Sequence, residues 1–193
     1  MLSDLAFHLA TQGEEVHVIT SRQRYDDAAA NLPAHKSVHG VQVQRVWTTR
    51  FGRASLPGRA LDYLLFYLCA SIALFRLARE GDVVIAMTDP PLISVPAALV
   101  ARLRGAALVN WLQDIFPEVA ERMGVRLARG VPGAAIRWLR GYSLRRASIN
   151  VVLGERMSSV MLRLTASRSD RIGEGLKVAM DWYVQHLTCQ DKT

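Results

Sequence analysis

The sequence predicts an α/β protein built on a parallel sheet with helices on both faces. Segments with apolar residues at helical spacing alternate along the chain with short apolar segments that suit strands. Two of these strands, Val83–Met87 and Ala107–Leu112, are apolar without strict alternation, which is typical of parallel strands covered on both faces. Gly13 and Gly81 each lie between a predicted helix and the next strand. This order predicts parallel pairing through right-handed crossovers.

The first elements are a helix over residues 2–12 and a strand over residues 16–20. Residues 21–38 are polar and are predicted to form a loop. Val41–Val46 alternates strictly between apolar and polar residues, which favours a strand with one solvated face near a sheet edge.

The remaining elements repeat a helix–strand pattern. Pro96 falls in the opening turn of one helix, where its missing N–H costs little. The predicted order begins with a helix over 60–79, the strand Val83–Met87, a helix over 93–104 and the strand Ala107–Leu112. It continues with an interrupted helix over 119–146, a strand over 149–153 and a helix over 155–165.

Composition restricts the class of protein. The 193 residues are 50% hydrophobic and 21% charged, which is globular, and can bury one good core. The net charge of +7 favours a polyanionic partner: nucleic acid, nucleotide phosphates or an anionic membrane. Cys69 and Cys189 form no motif, which disfavours a disulfide framework and a zinc site and favours the cytosol. No signal peptide is recognised at the N-terminus.

The most apolar segment covers residues 63–75 and is shorter than the roughly 20 residues that span a bilayer. We expect a buried helix there, with a helix that dips into a membrane as the alternative.

Polar side chains follow two predicted strands at their carboxyl ends, where open α/β sheets bind ligands. Gln113, Asp114 and Glu118 follow one strand, and Thr88 and Asp89 follow the other. A carboxylate pair such as Asp114 and Glu118 can orient a sugar hydroxyl, accept a proton or bind a cation. Alternatively, Glu118 and Asp89 cap the helices that come next.

A basic segment of the helix predicted over 119–146 offers a second kind of surface. Interfacial helices combine aromatic and basic residues, and such clusters attract anionic lipid headgroups. The alternative is a solvated basic face with the aromatics packed inward. The candidate membrane-surface residues are Arg137, Trp138, Arg140, Tyr142 and Arg145.

We expect no cofactor and no metal site, and the absence of a nucleic-acid, P-loop or dinucleotide motif disfavours those ligands.

Several segments together resemble the N-terminal domain of family-4-type glycosyltransferases, closest to bacterial enzymes of capsule, O-antigen and colanic-acid assembly. The resemblance covers roughly residues 2–164, and the third segment below is its most specific part. The segments are LSDLAFHLATQGEEVHVITSRQRY, GVQVQRVW, GDVVIAMTDPPLISVPAALVARLRGAALVNWLQDIFPEVAERMGV and LRRASINVVLGERM.

This resemblance implies the GT-B architecture, in which two Rossmann-like domains face each other across a cleft. The N-terminal domain holds the acceptor, often a lipid-linked sugar, and the C-terminal domain holds the nucleotide sugar. The sugar is transferred to the acceptor with retention of its anomeric configuration. Asp114 is then the candidate catalytic residue on the loop that faces the cleft. The implied acceptor-binding residues are Thr88, Asp89, Gln113, Glu118, Arg22 and Tyr25.

The chain also departs from the family, whose members begin with a central strand and a glycine-rich loop and continue into a donor domain. We therefore expect residues 1–166 to form an incomplete acceptor-side domain, and residues 167–193 a divergent tail. Such a fragment is expected to be inactive alone, cytoplasmic or peripheral on the inner face of the plasma membrane, and poorly soluble or oligomeric. The alternative is a non-catalytic remnant that binds anionic membrane or a partner chain through its arginine-rich helices.

Overall fold

The structure is a computed structural model that describes residues 2–23, 32–49, 51, 56–113, 130–152 and 157. These residues form a mixed α/β protein that divides into two compact units, Met1–Leu77 and Ala78–Thr193. The helices are α1 (Leu2–Thr11), α2 (Leu56–Leu77), α3 (Ser94–Arg104) and α4 (Gly130–Arg146). The strands are β1 (His17–Ser21), β2 (His35–Val38), β3 (Val41–Val46), β4 (Val83–Met87), β5 (Ala107–Leu112) and β6 (Ile149–Val152).

The first unit contains a mixed three-stranded sheet in the order β1-β3-β2. β1 runs parallel to β3, and β2 runs antiparallel to β3. His39 and Gly40 join β2 to β3 with φ angles of 48° and 83°. A two-residue loop with two positive φ angles matches the right-handed twist of a hairpin, which explains the glycine.

Two sequence predictions for this unit are therefore wrong. Residues 35–38 form a strand within the predicted loop, because the hairpin turn imposes pairing on a polar segment that carries no apolar pattern. β3 lies in the centre of its sheet and not at an edge, because β1 and β2 pair with its two edges. Its alternating pattern reports a solvated face and says nothing about its edges.

Helix α2 packs against β1 and β3 through small residues. Ala70 and Ala73 are its buried side chains, which lets the helix approach the sheet closely. The carboxylate of Asp62 accepts hydrogen bonds from Thr49 Oγ1 (2.5 Å) and from the backbone N–H of Phe51 (3.1 Å). These bonds fix the start of the helix to the chain that leaves β3.

The second unit contains a parallel three-stranded sheet in the order β4-β5-β6, which confirms parallel pairing for this part of the chain. Helix α3 packs against β4 and β5 and against α4. It ends at Gly105, whose φ of 70° is left-handed and whose N–H donates to the carbonyl of Ala101. This glycine cap turns the chain directly into β5.

The core of the second unit lies under α4. Leu112, Leu144 and Val152 form a buried cluster, and Met157 packs against it. The cluster joins the carboxyl ends of β5 and β6 to α4, so the helix is held at the end of the sheet where ligands bind in such folds. Helices on both faces of a larger sheet, the Rossmann-like domain over 1–166 and the tail over 167–193 stay predictions.

Candidate functional site

A small pocket opens at the carboxyl ends of β4 and β5 in the second unit. It lies where the chain leaves β4 for α3 and where α4 passes beside the sheet. Its position at the ends of two adjacent parallel strands is the usual ligand position of open α/β sheets. The lining residues are Thr88, Pro91, Leu92, Ser94, Leu112, Arg140, Ser143 and Leu144.

The loop between β4 and α3 forms one wall of the pocket. Thr88 Oγ1 accepts a hydrogen bond of 3.1 Å from the backbone N–H of Gln113, which ties the end of β4 to the end of β5. The hydroxyl proton of Thr88 can still be donated to a ligand. Leu92 has a φ of 65°, a left-handed conformation that costs a branched residue energy and that often occurs at functional sites.

The N-terminus of α3 contributes to the same wall. Ile93 precedes the helix and makes no side-chain capping bond, so the partial positive charge of the helix end is not offset by a side-chain cap. Ser94, the first residue of the helix, lines the pocket and donates from Oγ to Ser143 Oγ over 3.0 Å.

Helix α4 supplies the other wall and the basic group. Arg140 is only 8% exposed, and Ser143 Oγ donates to its backbone carbonyl over 3.0 Å. A guanidinium costs free energy to bury and presents several fixed donors, which suit carboxylate or phosphate oxygens. No carboxylate is among the residues that line this pocket, so its chemistry favours an anionic or polyhydroxylated group.

A buried layer of amides holds α4 in place behind the pocket. Asn110 is fully buried, and its Nδ2 donates to Asn150 Oδ1 over 2.9 Å. Asn150 Nδ2 donates to the carbonyl of Leu144 over 3.1 Å, and Asn110 Nδ2 lies 3.4 Å from the carbonyl of Ser143. The layer therefore fixes the turn of α4 that follows Arg140.

Sequence reasoning missed the amide layer and Ser94, although a signal for the amides was present. Asn110 and Asn150 each stand in the middle of an otherwise apolar strand segment, where a polar residue needs a partner. Two such residues on neighbouring parallel strands predict a bond between them. Ser94 carried no comparable signal.

The structure brings together three of the predicted acceptor-binding residues. Thr88 lines the pocket, Gln113 is bonded to it through its backbone, and Asp89 is exposed beside it. The alternative that Asp89 caps the next helix is wrong, because α3 begins five residues later, at Ser94. Their roles as acceptor contacts stay predictions.

The other predicted residues fall into two groups. Asp114, Glu118 and Tyr25 lie outside the described residues. Arg22 lies in the first unit, where its Nε donates to the carbonyl of Leu32 over 3.2 Å and its backbone N–H donates to Val46 over 3.1 Å.

The predicted membrane-surface residues of α4 divide between two environments. Trp138 is 65% exposed and Arg145 is exposed, whereas Arg137 and Tyr142 are half-buried. Arg140 is not on that surface, which corrects the prediction. It shares a buried face with residues 143, 144 and 147 at helical spacing, and this face is turned inward because α4 packs on α3.

Within the part of the chain that the structure describes, no three histidine, cysteine or acidic side chains are grouped so that they could hold a metal ion. Comparison with known protein-family models finds no match, and no curated protein matches the sequence.

Proposed function

We propose that this chain is the acceptor-binding part of a GT-B glycosyltransferase. The enzyme would transfer a sugar, with retention, from a nucleotide sugar to a lipid-linked glycan in cell-surface polysaccharide synthesis. The observation that carries the proposal is the pocket at the carboxyl ends of β4 and β5, which combines hydroxyl groups with the buried Arg140. The resemblance of the sequence segments supplies the reaction class.

The chemistry of the pocket suits the polar end of a lipid-linked sugar. Such an acceptor presents phosphate oxygens beside sugar hydroxyls, which are acceptors and donors of hydrogen bonds. Arg140 would bind phosphate oxygens, since charge-assisted bonds from a guanidinium are the stronger class. Thr88 and Ser94 would orient sugar hydroxyls, because each side-chain oxygen can both donate and accept.

Asp114 is the residue we assign to the reacting hydroxyl. It follows Gln113, whose backbone is bonded to Thr88, so the sequence brings a carboxylate within one residue of the pocket rim. The carboxylate would orient the acceptor hydroxyl and accept its proton as the new glycosidic bond forms, while the bond between the anomeric carbon and the phosphate oxygen of the donor breaks and the nucleotide leaves with that electron pair. The donor domain of the complete enzyme would hold the nucleotide sugar.

Isothermal titration calorimetry of acceptor binding to the full chain tests this proposal. The probe is a diphosphate-linked N-acetylhexosamine with a shortened polyprenyl chain. We expect Thr88→Val to weaken binding by ~10-fold or more, because it removes the hydroxyl that would bond to the ligand and also the acceptor of the Gln113 N–H, with little change of shape. Thr88→Ser should retain the affinity to within ~3-fold because it keeps the hydroxyl.

Ser37→Ala, on an exposed strand of the first unit, is the matched control and should bind as the wild type does. Cooperative melting of every variant well above the assay temperature excludes loss of fold as the cause. If Thr88→Val bound the probe as well as Thr88→Ser, the pocket would not be the acceptor site. Failure of every protein to bind the probe would favour the non-catalytic alternative.

A further inference from the structure

Helix α2 carries a line of large apolar side chains that face solvent. Leu61, Leu64, Leu68, Ile72 and Phe75 are between 42 and 63% exposed, and together they are named the apolar stripe. Their spacings of three, four, four and three residues place them within an arc of ~80° on a helix with 3.6 residues per turn. The stripe is ~21 Å long at 1.5 Å per residue. A continuous exposed apolar surface of this kind marks an interaction site.

The opposite face of α2 is already occupied. Ala70 and Ala73 are buried against the sheet of the first unit, so the smaller side chains point inward and the larger ones point outward. This is the reverse of a core helix, and it corrects the expectation that the apolar segment 63–75 is buried. In the described part of the chain, Gly58–Leu77 is the one helix long and apolar enough to cross a membrane, with mean hydropathy 1.6, and 11% of that window is buried.

The charges of α2 suit an anionic surface. Arg59 near the start of the helix and Arg76 in its last turn are both exposed. Asp62 is the one acid of the helix, and its carboxylate is bonded to Thr49 and to the backbone of Phe51. At 100° per residue, Arg76 lies ~40° from the edge of the apolar stripe, whereas Arg59 lies on the opposite side of the helix. The stripe therefore has a basic residue beside its C-terminal end, in a chain with a net charge of +7. Basic residues next to an apolar helix face attract anionic lipid headgroups.

The flanks of the stripe do not suit a paired helix from a second copy. In helix pairs, charged residues beside the apolar seam set the register and the choice of partner. Here Arg76 is the one charged residue beside the stripe, and the other positions beside it include Ala60, Leu65 and Ser71, which carry no charge. A lipid surface needs no such register.

We propose that the apolar stripe of α2 docks in the plane of an anionic membrane. The helix would lie at the headgroup boundary with the stripe ~5–10 Å below it, and would not cross the bilayer, because its other face stays on the sheet. Arg76, beside the stripe, would extend its side chain to the phosphates. This inference does not depend on the proposed sugar transfer.

Vesicle flotation of the full chain tests the proposal. Vesicles of phosphatidylcholine alone are compared with vesicles that also contain phosphatidylglycerol. We expect binding to the anionic vesicles to be ~10-fold stronger or more, since each basic residue near such a surface contributes. Leu64→Gln with Leu68→Gln should reduce binding by ~10-fold or more. Arg76→Gln should weaken binding to the anionic vesicles by ~5-fold, whereas Arg59→Gln should weaken it less, because Arg59 lies on the opposite side of the helix.

Leu99→Gln with Leu103→Gln is the matched control, because these leucines are exposed at the same spacing on α3. The control should bind vesicles to within ~2-fold of the wild type. Unchanged melting curves show that each variant is folded. Equal loss of binding in the control and the stripe variant would overturn the proposal, as would equal binding of the wild type to neutral and anionic vesicles.

A nitroxide label measures the depth directly and separates lipid from protein as the occupant. In a Cys69→Ser, Cys189→Ser background, a label at Leu68→Cys should become accessible to oxygen and protected from a water-soluble relaxant when vesicles are added. A label at Lys36→Cys on β2 should stay exposed to water. A dimer in sedimentation without lipid that the Leu64→Gln, Leu68→Gln variant abolishes would show that a second copy covers the stripe, and would contradict the proposal.

Discussion

The two units of the chain use polar residues in opposite ways. The first unit has a mixed sheet whose edge strand β2 is polar and exposed, and it presents its large apolar residues on the outside of α2. The second unit has a parallel sheet with an apolar outer strand, β4, and buries its polar residues between β5, β6 and α4. The difference is the basis of the two proposals, because the first unit exposes an apolar surface and the second has a small pocket.

The orientation of α2 gives the largest expected effect. Ala73 and Ile72 are neighbours in sequence that lie ~100° apart around the helix, and they are 4% and 45% exposed. Ala73→Asp would bury a charge against the sheet and should lower the free energy of unfolding by at least ~3 kcal/mol. Ile72→Asp should change it by less than ~1 kcal/mol. Hydrogen exchange of the β3 amides measures both, and similar losses would mean that the assigned faces are wrong.

The buried amide layer gives the second-largest expected effect on the free energy of unfolding. Asn110→Ala removes its bonds to Asn150 and Ser143 and leaves a small cavity, so we expect a loss of ~2–4 kcal/mol in the second unit. Gln42→Ala is the control, since this exposed side chain bonds only with Ser37 Oγ in the described residues, and it should cost less than ~0.5 kcal/mol. Urea unfolding gives both values, and a neutral Asn110→Ala would show that the layer does not hold α4.

The outer strands give the smallest effect on stability but a clear effect on solubility. Among the described residues, β4 pairs with β5 alone, and its outer edge carries no charge, proline or bulge that would discourage another strand. Val83 is 61% exposed there. Val83→Lys should change stability by less than ~0.5 kcal/mol yet lower self-association in light scattering.

Ser37→Lys on β2 should leave self-association unchanged, because that strand already exposes His35 and Lys36. If both lysine variants reduced scattering equally, general charge and not the edge of β4 would govern solubility.

Much of the fold was predictable because the apolar patterns are strong. Val83–Met87 and Ala107–Leu112 form strands with the predicted bounds, since buried parallel strands leave continuous apolar segments. β2 was not predictable in this way, because its pairing comes from the turn at His39 and Gly40 and its own residues are polar. Local pattern thus failed where a turn and a partner strand decided the structure.

The candidate site was predictable only in part. The carboxyl ends of the strands pointed to Thr88 and Gln113, and the structure joins them by a hydrogen bond. Arg140 was assigned to the wrong surface, because the prediction grouped the arginines by charge and not by the apolar residues on the same face of the helix. Helical spacing from Ile136 and Leu144 would have identified it, since residues four apart share a face.

The central claim is that the pocket between β4, α3 and α4 binds the acceptor. Amide chemical shifts of the full chain, recorded while the diphosphate-linked N-acetylhexosamine probe is added, test it most directly. We predict that the amides of Thr88, Gln113 and Ser143 shift in a saturable manner, while those of Gln42 and Val43 in the first unit do not. Saturable shifts confined to the first unit, with the amides around the pocket unchanged, would contradict the claim.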